Sequence, residues 1–426
     1  MRKRIAMISE HASPLAALGG VDSGGQNVYV AYLARQLAHR GHAVDVFTRR
    51  ESADTPTIVD WGPRVRIVHV DAGPPRRVPK EQLLPFMSPF AEWMLDFVDR
   101  GSRTYDIVHA HFWTSALAAQ RLKIEIGLPF VVTFHALGRV RRLYQGADDG
   151  FPAERGALEA RIVESADAVI AECPQDAFDL RILYGADERR LRQIPCGVDI
   201  RRFHPVAPAR ARGKLGLPIE GPVLLQLGRL VPRKGIDDVI RSLPILRRAY
   251  DIDAQLVIVG GDTDEPDEAA TPYLRTLRAV ADGSGVADRV IFTGGKSPSV
   301  LRYYYSAADV FVTTPWYEPF GITPLEAMAC GTPVIGSAVG GIKHTVVHGE
   351  TGLLVPPHNP RVIAASAAAL LTDSALRARM SRRAMARVRS WFRWRHVARA
   401  VDVLYDDVLG ATRHRPHPRR ARATLP

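Results

Sequence analysis

Along most of the chain, short continuous runs of Val, Ile and Leu alternate with stretches whose apolar residues recur every three or four positions. The runs are RIAMIS from Arg4, AVDVFT from Ala43, RVRIVHV from Arg64, YDIVHAH from Tyr105, FVVTFH from Phe130 and ADAVIAE from Ala166. They continue with PVLLQLG from Pro222, AQLVIVGG from Ala254, RVIFTGG from Arg289, ADVFVTT from Ala308 and PVIGS from Pro333. Strands that are apolar throughout, separated by helices, predict parallel sheets covered on both faces. The series pauses between Arg189 and Gly221, where Pro, Gly and Arg follow one another without a period, and this stretch reads as an interdomain linker. The expected organisation is two α/β domains of about 200 residues each, spanning 1–205 and 215–390.

From Ser374 to Asp407 the pattern is helical. Met380, Ala384, Val388, Trp391, Trp394, Ala398, Val401 and Tyr405 form one stripe, with arginine on the opposite faces. The stripe is expected to pack on the body of the protein. The nine arginines between Arg377 and Arg399 also suit weak contact with an anionic membrane.

Composition narrows the class. With 426 residues, 46% hydrophobic, disorder and collagen are excluded. The three cysteines, Cys173, Cys196 and Cys330, are far apart, which excludes a disulfide framework or a zinc knuckle and points to a reducing cytoplasm. The apolar run Ile5–Ile8 is too short for a signal peptide, and no stretch is long enough to span a bilayer. The expected location is cytoplasmic, with room for a peripheral place on the inner face of the membrane. The net charge of +12 invites a nucleic-acid reading, but five of those charges sit in the last sixteen residues. Residues 411–426 therefore read as a basic disordered tail, and no nucleic-acid partner is expected.

Candidate chemistry gathers at strand ends. The first strand runs into a loop with Gly19, Gly20, Gly24 and Gly25, and a helix opens near Gln26, a geometry that suits phosphate, although the spacing is not GxGxxG. In LGRLVPRKGIDD, Arg229 and Lys234 follow a strand, as two cations for a diphosphate would. After the strand Asp309–Thr314, Glu318 lies in a loop, Gly321 opens a helix with Ile322 and Thr323, and Glu326 lies one turn inside it. The bare helix start suits phosphate oxygens, and the two acids suit the hydroxyls of a sugar and a ribose. His109 and His111 end one strand and His135 another; each is either a crevice residue for a sugar hydroxyl or a satisfied structural histidine.

Together these residues resemble the retaining, nucleotide-sugar-dependent glycosyltransferases of family 4, whose GT-B architecture sets two Rossmann-like α/β domains, with parallel sheets, across a cleft. The most specific match is EPFGITPLE, Glu318 to Glu326, in the form of the family's E-x7-E motif, supported by GRLVPRKG and by VGGIKHTVVHGETGLLVPP. The resemblance implies that Arg229 and Lys234 neutralise the donor diphosphate and that Glu326 binds the ribose. It implies that Glu318 and the backbone of Phe320, Gly321 and Ile322 hold the donor sugar and phosphates, with Gly24 and Gly25 lining the donor. His135 matches the histidine that contacts the transferred sugar, and a C-terminal helix, 391–410, would return to the first domain. No metal cofactor is implied; a nucleotide-diphosphate sugar is the donor.

Within the family, GGVDSGGQNVYV is similar to sucrose-phosphate synthases and inositol-phosphate glycosyltransferases. Asn27, Lys80 and Arg155 match acceptor-phosphate positions of the latter, and His111 falls on the acceptor side. Phe112 and Ala136 stand where those enzymes carry a Tyr and a Thr, a loss of two hydroxyl donors worth about 1.5–3 kcal/mol each toward a charged group. The implied reaction is hexosyl transfer to a small phosphorylated sugar or polyol. The alternatives are a lipid-linked or surface-glycan acceptor, and a non-catalytic nucleotide-sugar or nucleic-acid binder.

Overall fold

The computed structural model describes residues 2–15, 24–101, 104–218 and 220–413. Gly19, Gly20 and residues 414–426, most of the expected tail, lie outside them; residues 411–413 finish the last helix.

Two sheets form. The first contains β1 (Arg4–Ile8), β2 (Ala43–Arg49), β3 (Ile58–Gly62), β4 (Val65–Val70), β5 (Ile107–His111), β6 (Phe130–Thr133), β7 (Ala168–Ala171) and β8 (Leu191–Gln193), in the order 3-4-2-1-5-6-7-8. The second contains β9 (Val223–Leu227), β10 (Gln255–Val259), β11 (Val290–Phe292), β12 (Val310–Thr313), β13 (Val334–Ser337) and β14 (Gly352–Val355), in the order 11-10-9-12-13-14. In each sheet the order reverses beside the first central strand, β1 or β9, so the strand ends on either side leave a crevice there. Among these strands one pairing is antiparallel, β3 with β4, against the all-parallel expectation. β3 is a half-exposed edge strand with alternating burial, so it needs no helix on its outer face.

The stretch from Arg189 to Gly221 is not a plain linker. It contains β8 and the helix Pro208–Leu215, which opens on proline and stops at left-handed Gly216. Arg212 pins this helix to the second sheet, donating to the carbonyls of Ala307 and Gly221 and to Asp309, each at 2.9 Å. The second domain thus begins near Pro208, ahead of 215. The arginines hide the helix in the sequence because its polar face covers the anchor.

The C-terminal pattern is two helices, Ser374–Trp391 and Trp394–Arg413. The break has a tertiary cause. The chain crosses between domains twice, and the crossings pair: Val198 N–H donates to the Phe392 carbonyl at 2.7 Å, and Val198 bridges to Arg393. Phe392 and Trp394 enter the core, and Trp391 is turned out at 67% exposure, contrary to its expected place in the packed stripe.

The last helix lies on the first domain. Asp402 accepts from Lys3 at 2.6 Å and from Arg40 at 2.7 Å, with His42 Nε2 standing 2.9 Å away, and Tyr405 hydrogen-bonds His109 at 2.7 Å. Burial would raise the Asp402 carboxyl, but Lys3, Arg40 and His42 outweigh it and hold it at about 2. With the folded value depressed, the stabilisation is complete above the unfolded value of about 3.9 and fades as pH falls toward 2. Asp402→Asn is expected to cost about 2 kcal/mol at pH 7. In urea unfolding the gap to wild type should close between about pH 4 and pH 2.

Candidate active site

The second-domain half of the site is built by strand ends pressed together. β9 ends at Leu227, Gly228 and Arg229 follow it, and a short turn, Pro232–Lys234, comes next. Gly235 takes φ +61°, and a Cβ there would collide with the Thr314 carbonyl beyond β12. Only glycine lets the lysine turn approach that strand end. Trp316 N–H then donates to the Arg233 carbonyl at 2.9 Å, which ties the turn to the loop carrying Glu318. That loop rests on Gly340 and Gly341, where a Cβ would meet the backbone of Glu318 and Phe320.

These contacts deliver Lys234 to Glu318. The two form a direct ion pair, with Arg233 at 3.7 Å from the same carboxylate oxygen, and the pair is largely buried. Burial alone would raise the Glu318 carboxyl; Lys234 and Arg233 reverse that and hold it below its ordinary range. Burial lowers the Lys234 ammonium, against the pull of Glu318. Arg229 stays exposed, with Arg233 and Arg141 as like charges around it.

The helix Ile322–Ala329 starts behind Gly321 without a side-chain cap. Its first residue faces the other domain: a Cβ at Gly25 would stand 3.4 Å from Ile322 Cδ1. The two helix starts, Gly24–Gly25 and Gly321–Ile322, thus oppose one another across the cleft. Glu326, inside the second, accepts from Tyr305 at 2.7 Å, and burial pushes its carboxyl up to about 7.

From the first domain, Lys80 reaches the same region. Burial first, and then the charge of Arg229, pull its ammonium down to about 8. It lies 6.0 Å from the Phe151 ring centroid. Three other expected acceptor residues are committed inward. Arg155 is 2% exposed, pairs with Glu159 at 2.7 Å and lies over Phe151 at 4.3 Å. Asn27 accepts from Gly24 N–H at 3.2 Å and donates to Ser13 at 3.0 Å, so its amide fastens the glycine loop. His111, the last residue of β5, is fully buried with one ring nitrogen on His135 at 3.0 Å. Contrary to a shared crevice rim, His109 is also fully buried, held between Tyr405 and Thr133.

His135 stands at φ +58°, a costly conformation for a side-chain-bearing residue. Both ring nitrogens have protein partners: Nδ1 lies 3.2 Å from Glu172, and Nε2 is on His111.

Sequence reasoning overlooked three contributors. Glu172, which braces His135, directly follows β7; the strand-end argument applied to the histidines applies equally to it. Arg141, on the helix Gly138–Gln145, pairs with Asp149 at 2.9 Å and adds to the positive field. Tyr317, beside Glu318, accepts from Gln145 and stacks on Tyr144 at 5.0 Å, joining the domains. A tyrosine in a loop carries no periodic signal that would reveal such a contact.

Residues 23–202 match the profile of Glycosyltransferase Family 4, and residues 209–387 that of Glycosyl transferases group 1. The chain is 39% identical to the D-inositol 3-phosphate glycosyltransferase of Acidothermus cellulolyticus, over 96% of this chain and 92% of that one. The corresponding enzyme of Xylanimonas cellulosilytica is 37% identical, over 97% and 98%. The structure of sucrose-phosphate synthase from Thermosynechococcus elongatus superposes with a TM-score of 0.87 at 34% identity, covering 96% of this chain and all of that one. Two facing α/β domains, the ion-paired E-x7-E loop and these likenesses agree: the chain belongs to glycosyltransferase family 4, in its GT-B form.

Proposed function

We propose that the protein moves a hexosyl group from a nucleotide-diphosphate sugar to a small phosphorylated sugar or polyol, with retention at the anomeric carbon. The observation that carries this reading is the convergence of Arg229, Arg233 and Lys234 from one domain with Lys80 and Arg141 from the other. Such surplus positive charge between two sheets suits ligands bearing several phosphate charges. The inositol-phosphate and sucrose-phosphate relatives, whose names specify phosphorylated partners or products, support the same class.

In this reading Arg229 and Lys234 take the donor diphosphate, and the amides of Phe320, Gly321 and Ile322 cap its oxygens, with Gly24 and Gly25 closing over them. Glu326 accepts from the ribose hydroxyls and Glu318 from the donor sugar. His135, with both ring nitrogens occupied, meets the sugar through its strained backbone. With Arg155 held by Glu159 and the Ala136 carbonyl, Lys80 takes the acceptor phosphate, and Asn27, His111 and Arg155 shape the wall around it. The bond from C1 to the phosphate oxygen breaks as the acceptor oxygen bonds C1 on the same face. The acceptor's proton passes to the departing phosphate oxygen. Charge grows on the diphosphate, and fixed cations stabilise it there; they do the work for which other enzymes use an ion, so no metal requirement is expected.

A panel of UDP-, GDP- and ADP-sugars against inositol phosphate, fructose 6-phosphate and their unphosphorylated forms, read by mass spectrometry, tests the function. Nucleoside diphosphate and a glycosylated phosphate should appear together, unchanged by EDTA. Transfer confined to unphosphorylated or lipid-linked acceptors would contradict the reading.

Glu326 gives a pH signature. Only its ionised form accepts from both ribose hydroxyls, so nucleotide affinity should rise as pH passes through about 7. UDP, GDP and ADP are compared by calorimetry; for the cognate nucleotide the gain from pH 6 to pH 8 should be up to about tenfold, and Glu326→Gln should flatten it.

A further inference from the structure

Residues 374–401 hold nine arginines and no acidic residue. Setting aside those nine and the five arginines of 411–426 leaves 43 basic against 45 acidic residues, so the excess charge of this chain is concentrated and not spread over its surface. The fold then sorts the nine. Arg377 and Arg387 donate to helix-end carbonyls, at 2.8 Å to Leu370 and 2.6 Å to His344, and Arg383 lies 4.0 Å from Glu350. Arg379, Arg382, Arg389, Arg395 and Arg399 remain exposed with no carboxylate partner among the described residues. Burial first, and then the charges of neighbouring arginines (Arg395 and Arg389 for Arg393; Arg395, Arg393 and Arg399 for His396), lower the proton affinity of Arg393 and His396.

In the midst of these cations the helix break turns Trp391 outward, at 67% exposure, and Val403 stands 52% exposed. Both line a groove of about 570 Å³ between the edge strand β8 and the last helix, with Arg192, Arg399 and His396 on its wall and one carboxylate, that of exposed Asp407, at its end. None of the proposed donor or acceptor residues lines it. An indole and aliphatic side chains beside the guanidinium groups of Arg389, Arg395 and Arg399, which have no carboxylate partner among the described residues, match the two layers of a bilayer surface, lipid phosphates outside and acyl chains just beneath. Nucleic acid offers the phosphates but no counterpart for Val403 and Ala400.

We propose that this face docks on an anionic phospholipid membrane, with Trp391 entering at the level of the headgroups and Arg389, Arg395 and Arg399 on lipid phosphates. The test is co-sedimentation of the full chain with vesicles of phosphatidylcholine and phosphatidylglycerol, against phosphatidylcholine alone, at low and high salt. The protein should pellet with the anionic vesicles and be released by salt. Replacing Arg389, Arg395 and Arg399 together by Gln should weaken binding at least tenfold, and Trp391→Ala several-fold, with thermal unfolding unchanged. Three outcomes would overturn the proposal. They are no pelleting, binding unaltered in the triple variant, which would place it on residues 411–426, and displacement from vesicles by short RNA at equal phosphate, which would make the surface a nucleic-acid face.

Discussion

The ion pair between Lys234 and Glu318 is the constraint on which the rest of the site depends. Three distant features of the sequence exist, in structural terms, to make it. Gly235 lets the lysine turn reach the end of β12, the Trp316 amide holds that turn against the glutamate loop, and Gly340 with Gly341 provides the seat under Glu318. Buried ion pairs contribute little net stability against their desolvation cost. What this one provides is placement: a lysine fixed at a strand end, beside a carboxylate that Arg233 also faces, so that the cations the proposed function assigns to a diphosphate are already in position.

The second domain carries that pair, but the cleft becomes a site only where the first domain closes on it. Several contacts that cross fall on or beside the E-x7-E loop: Gly25 against Ile322, Cys173 on the Pro319 carbonyl at 3.4 Å, and Gln145 with Tyr144 on Tyr317. Lys343 adds a hydrogen bond to Gln175 at 3.4 Å from the helix that follows Gly340 and Gly341, so closure and the state of the loop are mechanically linked. On the other side, the paired crossings at Val198 and Phe392 keep the two lobes registered while Asp402 clamps the last helix to the first strand.

Much of this was legible in the sequence because the physics was local. Continuous apolar runs between helices announced parallel sheets, and Glu318, Glu326, Arg229 and Lys234 are positioned by the loop they sit in. The failures share a cause, which is that a side chain's commitment depends on partners the linear pattern does not rank. Arg155 has its neutraliser, Glu159, one helical turn away, a spacing open to reading; its aromatic neighbours Phe112 and Phe151 are brought by tertiary packing. His109 looks like its neighbour His111 but meets a tyrosine from the far end of the chain. The helix break at Phe392 follows from a hydrogen bond to the other crossing, and no local propensity signals it.

If fixed cations held in place by the Lys234–Glu318 pair drive the chemistry by stabilising the departing diphosphate, single-turnover transfer by Lys234→Met, measured beside its affinity for the product nucleotide, will show it. Turnover should fall about 10²- to 10³-fold, with nucleotide affinity weakened less than about tenfold. Turnover within a few-fold of wild type, or a loss carried entirely by binding, would contradict it.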